Sequence, residues 1–355
     1  MTKTSQLDLF GSTIRHIPHD EFLYYMKFTP AIEDKIKAMT GLPSIESVAD
    51  HLGMYQPVNV GLNAPEGQEA PDFSRYYKDM ECPENSFINF LGVLEVPGSM
   101  YHFTSYVSPL RNAETLDDVK DFPYPSVDGY TDDHIRAEVD DAHARGLVAA
   151  SWIGHMYETS WQIRGYEQFL MDMAAAPEIC DYILDKLYER NITSTLAVVK
   201  SGVDVIMTGD DVANQKAMMF HPDLWRKFIK SRWAKVYEAA RSINSDIQIW
   251  YHSDGNIEDI IPDLIDIGVT ILNPVQSECL DVAKMKREFG KHLVFDGTIG
   301  TQTTLPFGTP EQVKDEVIER KRTVGADGAL ILSPTHILEP EVSIENIMAF
   351  VEAVR

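Results

Sequence analysis

The segment at 249–260, IWYHSDGNIEDI, runs from apolar residues into His252-Ser253-Asp254. In an extended chain, residues two apart face the same side, so this imidazole and this carboxylate would share one space. Such a pair can move a proton or help to hold a divalent cation. The same passage from apolar to polar recurs along the chain. His155 and Glu158 follow SWIG, Asp210 and Asp211 follow VDVIMTG, Asn273 and Gln276 lie in ILNPVQ, Asp296 lies in LVFDG, and His336 closes ALILSPTH. Adjacent residues point opposite ways, so only one of Asp210 and Asp211 can reach a common space. A buried carboxylate is costly unless it is paired, protonated or bound to metal, which makes a shared polar cavity the economical reading. A local alternative stands beside it: Asp254 caps a helix starting near Ile257, His252 is a satisfied core histidine, and His336 binds a loop carbonyl.

The elements that would position these groups are solid apolar runs: GLVAASWIG (146–154), VDVIMTGDD (203–211), IQIWYHSD (247–254), VTILNPVQ (269–276), LVFDGTIG (293–300) and ALILSPTH (329–336). Unbroken apolar strands imply burial on both faces, hence parallel strands beneath helices. Amphipathic segments at 166–202 and 258–268 lie between them, each reaching a glycine before the next strand. With VNVGL (58–62) as a first strand and FINFLGVLEV (87–96) as a further candidate, eight strands are within reach. The expectation is an α/β chain, a TIM (β/α)8 barrel forming one domain over 1–355, with a helical extension over 1–50. An open doubly wound sheet is the alternative, but no GxGxxG loop follows any strand. Barrel active sites lie at the C-terminal strand ends, where the polar residues fall.

Composition narrows the function classes. A formal net charge of −24 in 355 residues repels nucleic acid and anionic membranes. Cys82, Cys180 and Cys279 are far apart, with no CxxC pair, so neither a disulfide framework nor a thiolate zinc ribbon is expected. No apolar run is long enough to span a membrane and the first residues lack an apolar signal core, so a cytoplasmic location is expected.

Several of these segments resemble the uroporphyrinogen decarboxylase superfamily: SWQIRGYEQFLMDMAAAPE (160–178), GDDVANQ (209–215), HSDGNIEDIIPDLIDIGVTILNPVQ (252–276), FDGTIGTQTTLPFGTPEQVKDEV (295–317) and ILSPTHILEPEVSIENI (331–347). The likeness runs through about 145–355 and loosely before it. That superfamily implies a TIM barrel and holds true decarboxylases as well as zinc-dependent methyltransferases serving corrinoid proteins, so the fold alone does not choose. The decarboxylases grip an octa-anionic tetrapyrrole with an arginine-rich N-terminal segment. Here the first hundred residues hold only Arg15 and Arg75, which removes the electrostatic basis for that substrate. The coenzyme M type of methyltransferase binds zinc through His-x-Cys and a later Cys. This chain has His252 but Asp254 and Thr335 at the two thiolate positions, which disfavours thiol methylation.

A third branch, the aromatic O-demethylases acting on vanillate- or guaiacol-like methoxyarenes, is associated with a zinc motif Glu-x14-Glu-x20-His. Glu66, Glu81 and His102 match that spacing. The resemblance therefore implies transfer of a methyl group from an aryl methyl ether to the cob(I)alamin of a separate corrinoid protein. Zinc would lie near the ether oxygen, held by Glu66, Glu81 and His102, with His252 and Asp254 as possible contributors. His252, Asp254, Asp210, Asp211 and His336 would handle protons. Glu158, Tyr157, Trp161, Asn273, Gln276 and Asp296 would bind the substrate, with Met156 beside the ring. The chain lacks the Asp-x-His-x-x-Gly signature of corrinoid carriers, so the partner would dock transiently. The competing expectations are a decarboxylase or other lyase built on Asp210 and His252, another corrinoid or thiol methyltransferase, and a non-catalytic barrel that docks a corrinoid protein.

Overall fold

The computed structural model describes residues 4–98 and 104–355. Seven parallel strands form one curved sheet: β1 (Val58–Asn59), β5 (Ala149–His155), β6 (Val205–Gly209), β7 (Gln248–His252), β8 (Ile271–Val275), β9 (Val294–Ile299) and β10 (Leu330–Pro334), each paired to the next in that order. The extended segment 22–28 stands between the two outer strands. Tyr24 bridges Leu332 in parallel, and its carbonyl accepts from the Tyr55 N–H at 2.6 Å, just ahead of β1. The parallel barrel architecture is thus present, and the extended segment 22–28 runs within the N-terminal helical extension. That stretch also holds helices Gln6–Ile14, Pro30–Thr40 and Ile45–Leu52.

The segment 87–96 is corrected. It makes β2 (Phe87–Ile88) and β3 (Leu94–Pro97), which form a small antiparallel sheet with β4 (Thr104–Val107), separate from the barrel. The Asn89 side-chain oxygen accepts from the N–H groups of Leu91 and Val93, and Gly92 takes a φ of 76°, so the apolar run folds back on itself. Phe87 and Phe90 are left exposed. The amphipathic stretch 166–202 is likewise two helices, Tyr166–Ala175 and Pro177–Lys200, broken where Pro177 has no N–H to continue the ladder.

Two cores follow from strands buried on both sides. Ile206, Ile249, Tyr251, Leu272, Phe295 and Leu332 pack outward against the helices. Leu23, Ala150, Val205, Trp250, Ile271 and Ile331 pack inward, where Leu9 and Phe10 of the N-terminal helix join them. Phe10, Val205, Trp250, Ile271 and Ile331, with Tyr25, Tyr55, Met207 and Asp296, line a cavity of about 310 Å³ that is mainly apolar. No helix among the described residues is long and apolar enough to cross a membrane.

Candidate functional site

The polar residues expected at strand ends meet at the C-terminal ends of β5–β8. Asp211 follows β6, and Asp254 lies two residues beyond β7, whose last residue is His252. The Asp254 N–H donates to Asp211 Oδ1 at 2.8 Å, and His252 Nε2 stands 3.5 Å from the same oxygen. One potential ligand atom from each of Asp211, His252 and Asp254 lies within 4.8 Å of the others. Asp254 Oδ1 is buried without a hydrogen-bond partner, and Asp254 Oδ2 is 3.9 Å from His336 Nε2. Burial pushes the Asp254 carboxyl up, His252 opposes that shift, and Asp211 adds to it.

Close backbone approach makes this arrangement possible. A Cβ on Gly209 would sit 2.5 Å from the His252 carbonyl oxygen, so only glycine lets β6 and β7 lie this near at their ends. Gly255, at φ 88°, turns the chain after Asp254, and its N–H donates to Gln276 Oε1 at 2.8 Å. Gln276 is therefore a loop anchor beside the cluster.

Asp210 goes the other way. Its Oδ1 accepts from the Met156 and Glu158 N–H groups at 2.7 and 3.0 Å, and its Oδ2 from Trp233 Nε1 at 3.0 Å. It receives the first N–H groups of helix Tyr157–Arg164, a capping role supplied from another strand. Full burial raises its pKa to about 6 against the pull of His155 and the three donors. As expected for adjacent residues, one of the two aspartates reaches the mouth, and it is Asp211.

Glu158 lies at the mouth, 3.4 Å from His155 Nδ1. Burial raises its pKa, His155 opposes, and Asp211 adds to the rise. The charged groups acting most strongly on Glu158 and Asp254 are carboxylates and imidazoles, with no lysine or arginine among them. Tyr157 is fully buried and turned to Phe169 and Phe220, at ring distances of 5.8 and 4.9 Å, so it belongs to the helix packing. Trp161 packs edge-on to Tyr106 and Tyr166. Trp152, absent from the sequence-based candidates, stands against His155 and Trp250 and is exposed.

Deeper in the barrel, Asn273 Oδ1 is 2.7 Å from His252 Nδ1, and Asp296 accepts from Trp250, Tyr25 and Ser333. Tyr25, Trp250 and Glu278 were also not singled out in the sequence. Glu278 sits three residues past β8 and receives the Thr335 hydroxyl at 3.4 Å. Glu66 and Glu81 are exposed, and His102 lies outside the described residues. Among the described residues, the one group of three with metal-ligand spacing is the Asp211, His252, Asp254 cluster.

The uroporphyrinogen decarboxylase (URO-D) family pattern matches residues 105–355. The chain belongs to the uroporphyrinogen decarboxylase family. The uroporphyrinogen decarboxylase of Coxiella burnetii (strain RSA 493) is 24% identical over 294 residues, 77% of each chain. That of Hydrogenobaculum sp. is 26% identical over 174 residues, 49% of this chain and 47% of the other. Among solved structures, a methyltransferase from Methanosarcina mazei shares the fold over 99% of this chain and 98% of its own, with a TM-score of 0.64 and 19% identity. Membership of the uroporphyrinogen decarboxylase family makes an enzyme the expectation for the cluster at the strand ends.

Proposed function

We propose that this chain is a corrinoid-protein-dependent methyltransferase that moves the methyl group of an aryl methyl ether to cob(I)alamin carried by a separate protein. The reading is carried by the convergence of Asp211, His252 and Asp254 in a mouth where no lysine or arginine is among the charged groups acting most strongly, with one Asp254 oxygen left unpartnered. That donor set fits a divalent cation such as zinc: two carboxylates and an imidazole, with a buried acceptor that nothing else satisfies. When bound there, the cation would supply Lewis acidity toward the leaving aryl oxygen. The placement differs from the Glu66, Glu81, His102 motif, of which Glu66 and Glu81 are exposed.

The residues at the mouth support the rest of the reaction. The methyl carbon–oxygen bond breaks with its electron pair staying on oxygen, the cobalt supplies the pair for the new bond, and the aryl oxygen takes a proton. Glu158, held toward its neutral form by burial, and His336 at the exposed rim are placed to donate it. Trp152 and Trp161 offer aromatic faces for the ring beside them. Oxygen and nitrogen ligands suit an ether oxygen better than a thiol, consistent with Thr335 and Asp254 where thiolates would otherwise stand. The whole-chain likeness in fold to a methyltransferase supports the same direction.

A lyase reading draws on the decarboxylase relatives. It is disfavoured because Glu158, Asp211, Asp254 and Glu278 would repel a polycarboxylate, and because both Asp210 oxygens are taken by donors. The test is to incubate the protein with a reduced corrinoid carrier and a panel of methoxylated phenols, following methylcobalamin by its spectrum. Methylation from at least one methoxyarene is expected. Carbon dioxide release from a carboxylated substrate without methylcobalamin would favour the lyase.

A further inference from the structure

Beneath the cation site, a line of hydrogen bonds runs inward from His252. It ends at Asp296 on β9, which is 2% exposed. Asp296 takes three donors: Trp250 Nε1 at 2.8 Å and the Tyr25 hydroxyl at 3.2 Å on Oδ2, and the Ser333 hydroxyl at 3.0 Å on Oδ1. The Tyr25 hydroxyl donates its one proton to Asp296 Oδ2, so toward its other neighbour it can only accept. That neighbour is Asn273 Nδ2, at 3.1 Å. An amide that turns its nitrogen to Tyr25 must turn its oxygen the opposite way, where His252 Nδ1 lies at 2.7 Å. Facing an oxygen that only accepts, Nδ1 must carry the hydrogen.

We propose that Tyr25, Asn273 and Asp296 are positioning residues that fix the tautomer of His252, keeping its proton on Nδ1 and leaving the Nε2 lone pair for the space shared with Asp211 and Asp254. The inference rests on the proposed cation site, since a histidine can be a ligand only through an unprotonated nitrogen. It also explains a competition visible in the geometry. Asp211 Oδ1, 3.5 Å from Nε2, draws the hydrogen toward the wrong nitrogen. The shorter contact to Asn273 opposes it, and that contact is aimed by a carboxylate two hydrogen bonds away. Asp296 controls the ring plane as well. Trp250, whose indole N–H it holds, lies flat on the His252 ring at 5.7 Å with 10° between planes. The segment 22–28 and the strands β8 and β9 therefore each supply one link, which a histidine needing only burial would not require.

The test reads the imidazole directly. Chelator-treated protein labelled with nitrogen-15 histidine is examined by long-range proton–nitrogen NMR about two units above the usual imidazole pKa, with the His252 signals assigned from His252→Gln. The wild type should show the Nδ1–H tautomer alone. Tyr25→Phe removes one oxygen, frees the Asn273 amide to flip, and should bring in the Nε2–H form. It should also weaken zinc binding, by competition with a chromophoric chelator, by about 10- to 100-fold, the usual cost of losing an outer partner. Ser333→Ala, which takes one donor from Asp296 but leaves Tyr25 in place, should keep the wild-type tautomer. An Nε2–H wild type, or an unchanged tautomer in Tyr25→Phe, overturns the proposal. Should the tautomer behave as expected while wild-type protein binds no zinc, the cation reading fails and the positioning role stands.

Discussion

Replacing Asp254 by asparagine separates stability from cation binding. Asp211 and Asp254 present oxygens within 4.8 Å of one another. At an effective dielectric of about 20, two unit charges at that distance repel by about 3.5 kcal/mol. Their side chains are 38% and 30% exposed, and solvent screening reduces the figure to about 1–2 kcal/mol. Asp254→Asn removes that repulsion with little change in shape, so the metal-free variant should be the more stable protein. An unfolding entropy of about 2.1 cal/mol/K per residue over this chain converts the gain into a rise in Tm of about 2 °C. Zinc should reverse the order. At a zinc concentration about a hundredfold above Kd, the wild type gains about 2.7 kcal/mol, or about 4 °C. The variant, having lost a ligand and with it at least about a hundredfold in affinity, gains less than about 1 °C. Differential scanning calorimetry in chelator and in zinc reads all four values. A variant that is less stable without metal, or equally stabilised by zinc, would refute the argument that this carboxylate is retained for a cation.

Three further outcomes are expected. Asp210 has a folded pKa near 6 against an ordinary carboxyl value of 3.8, so its contribution is complete below the unfolded value and is lost as pH rises through about 6. Urea unfolding should show wild-type stability falling relative to Asp210→Asn by about 2 kcal/mol between pH 4 and 7. Arg164 pairs with Asp172 at 2.7 Å and donates to the Leu110 carbonyl, all within the helix packing; Arg164→Met strands the carboxylate and should cost about 3–5 kcal/mol in the same assay. Glu66→Gln and Glu81→Gln should leave zinc stoichiometry unchanged by atomic emission, because those residues are exposed and the described cluster is Asp211, His252 and Asp254; loss of the metal in either would return the site to the Glu66, Glu81, His102 motif.

The six later strands were legible because burial on both faces leaves no polar alternation, and the runs through β5, β6 and β7 end in polar residues at the mouth. The extended segment 22–28 was hidden between helix signals, its apolar run interrupted by Lys27. The run at 87–96 misled for the opposite reason: it is apolar enough for a buried strand, yet the Asn89 side chain and Gly92 fold it into a hairpin outside the barrel. At the site, the sequence order established that one of Asp210 and Asp211 faces inward but not which. The deciding partners, the N–H groups of Met156 and Glu158 and the Trp233 indole, come from elements far away in the chain. Tyr25 escaped for the same reason as the segment that carries it, and its link to Asp296 spans 271 residues.

The most direct measurement of the cation site is X-ray absorption at the zinc edge of the loaded protein. Binding by Asp211, His252 and Asp254 predicts a shell of oxygen and nitrogen alone at about 2.0–2.1 Å, and its loss in the Asp211→Asn, Asp254→Asn double variant. A sulfur scatterer at about 2.3 Å, or an unaltered shell in that variant, would contradict it.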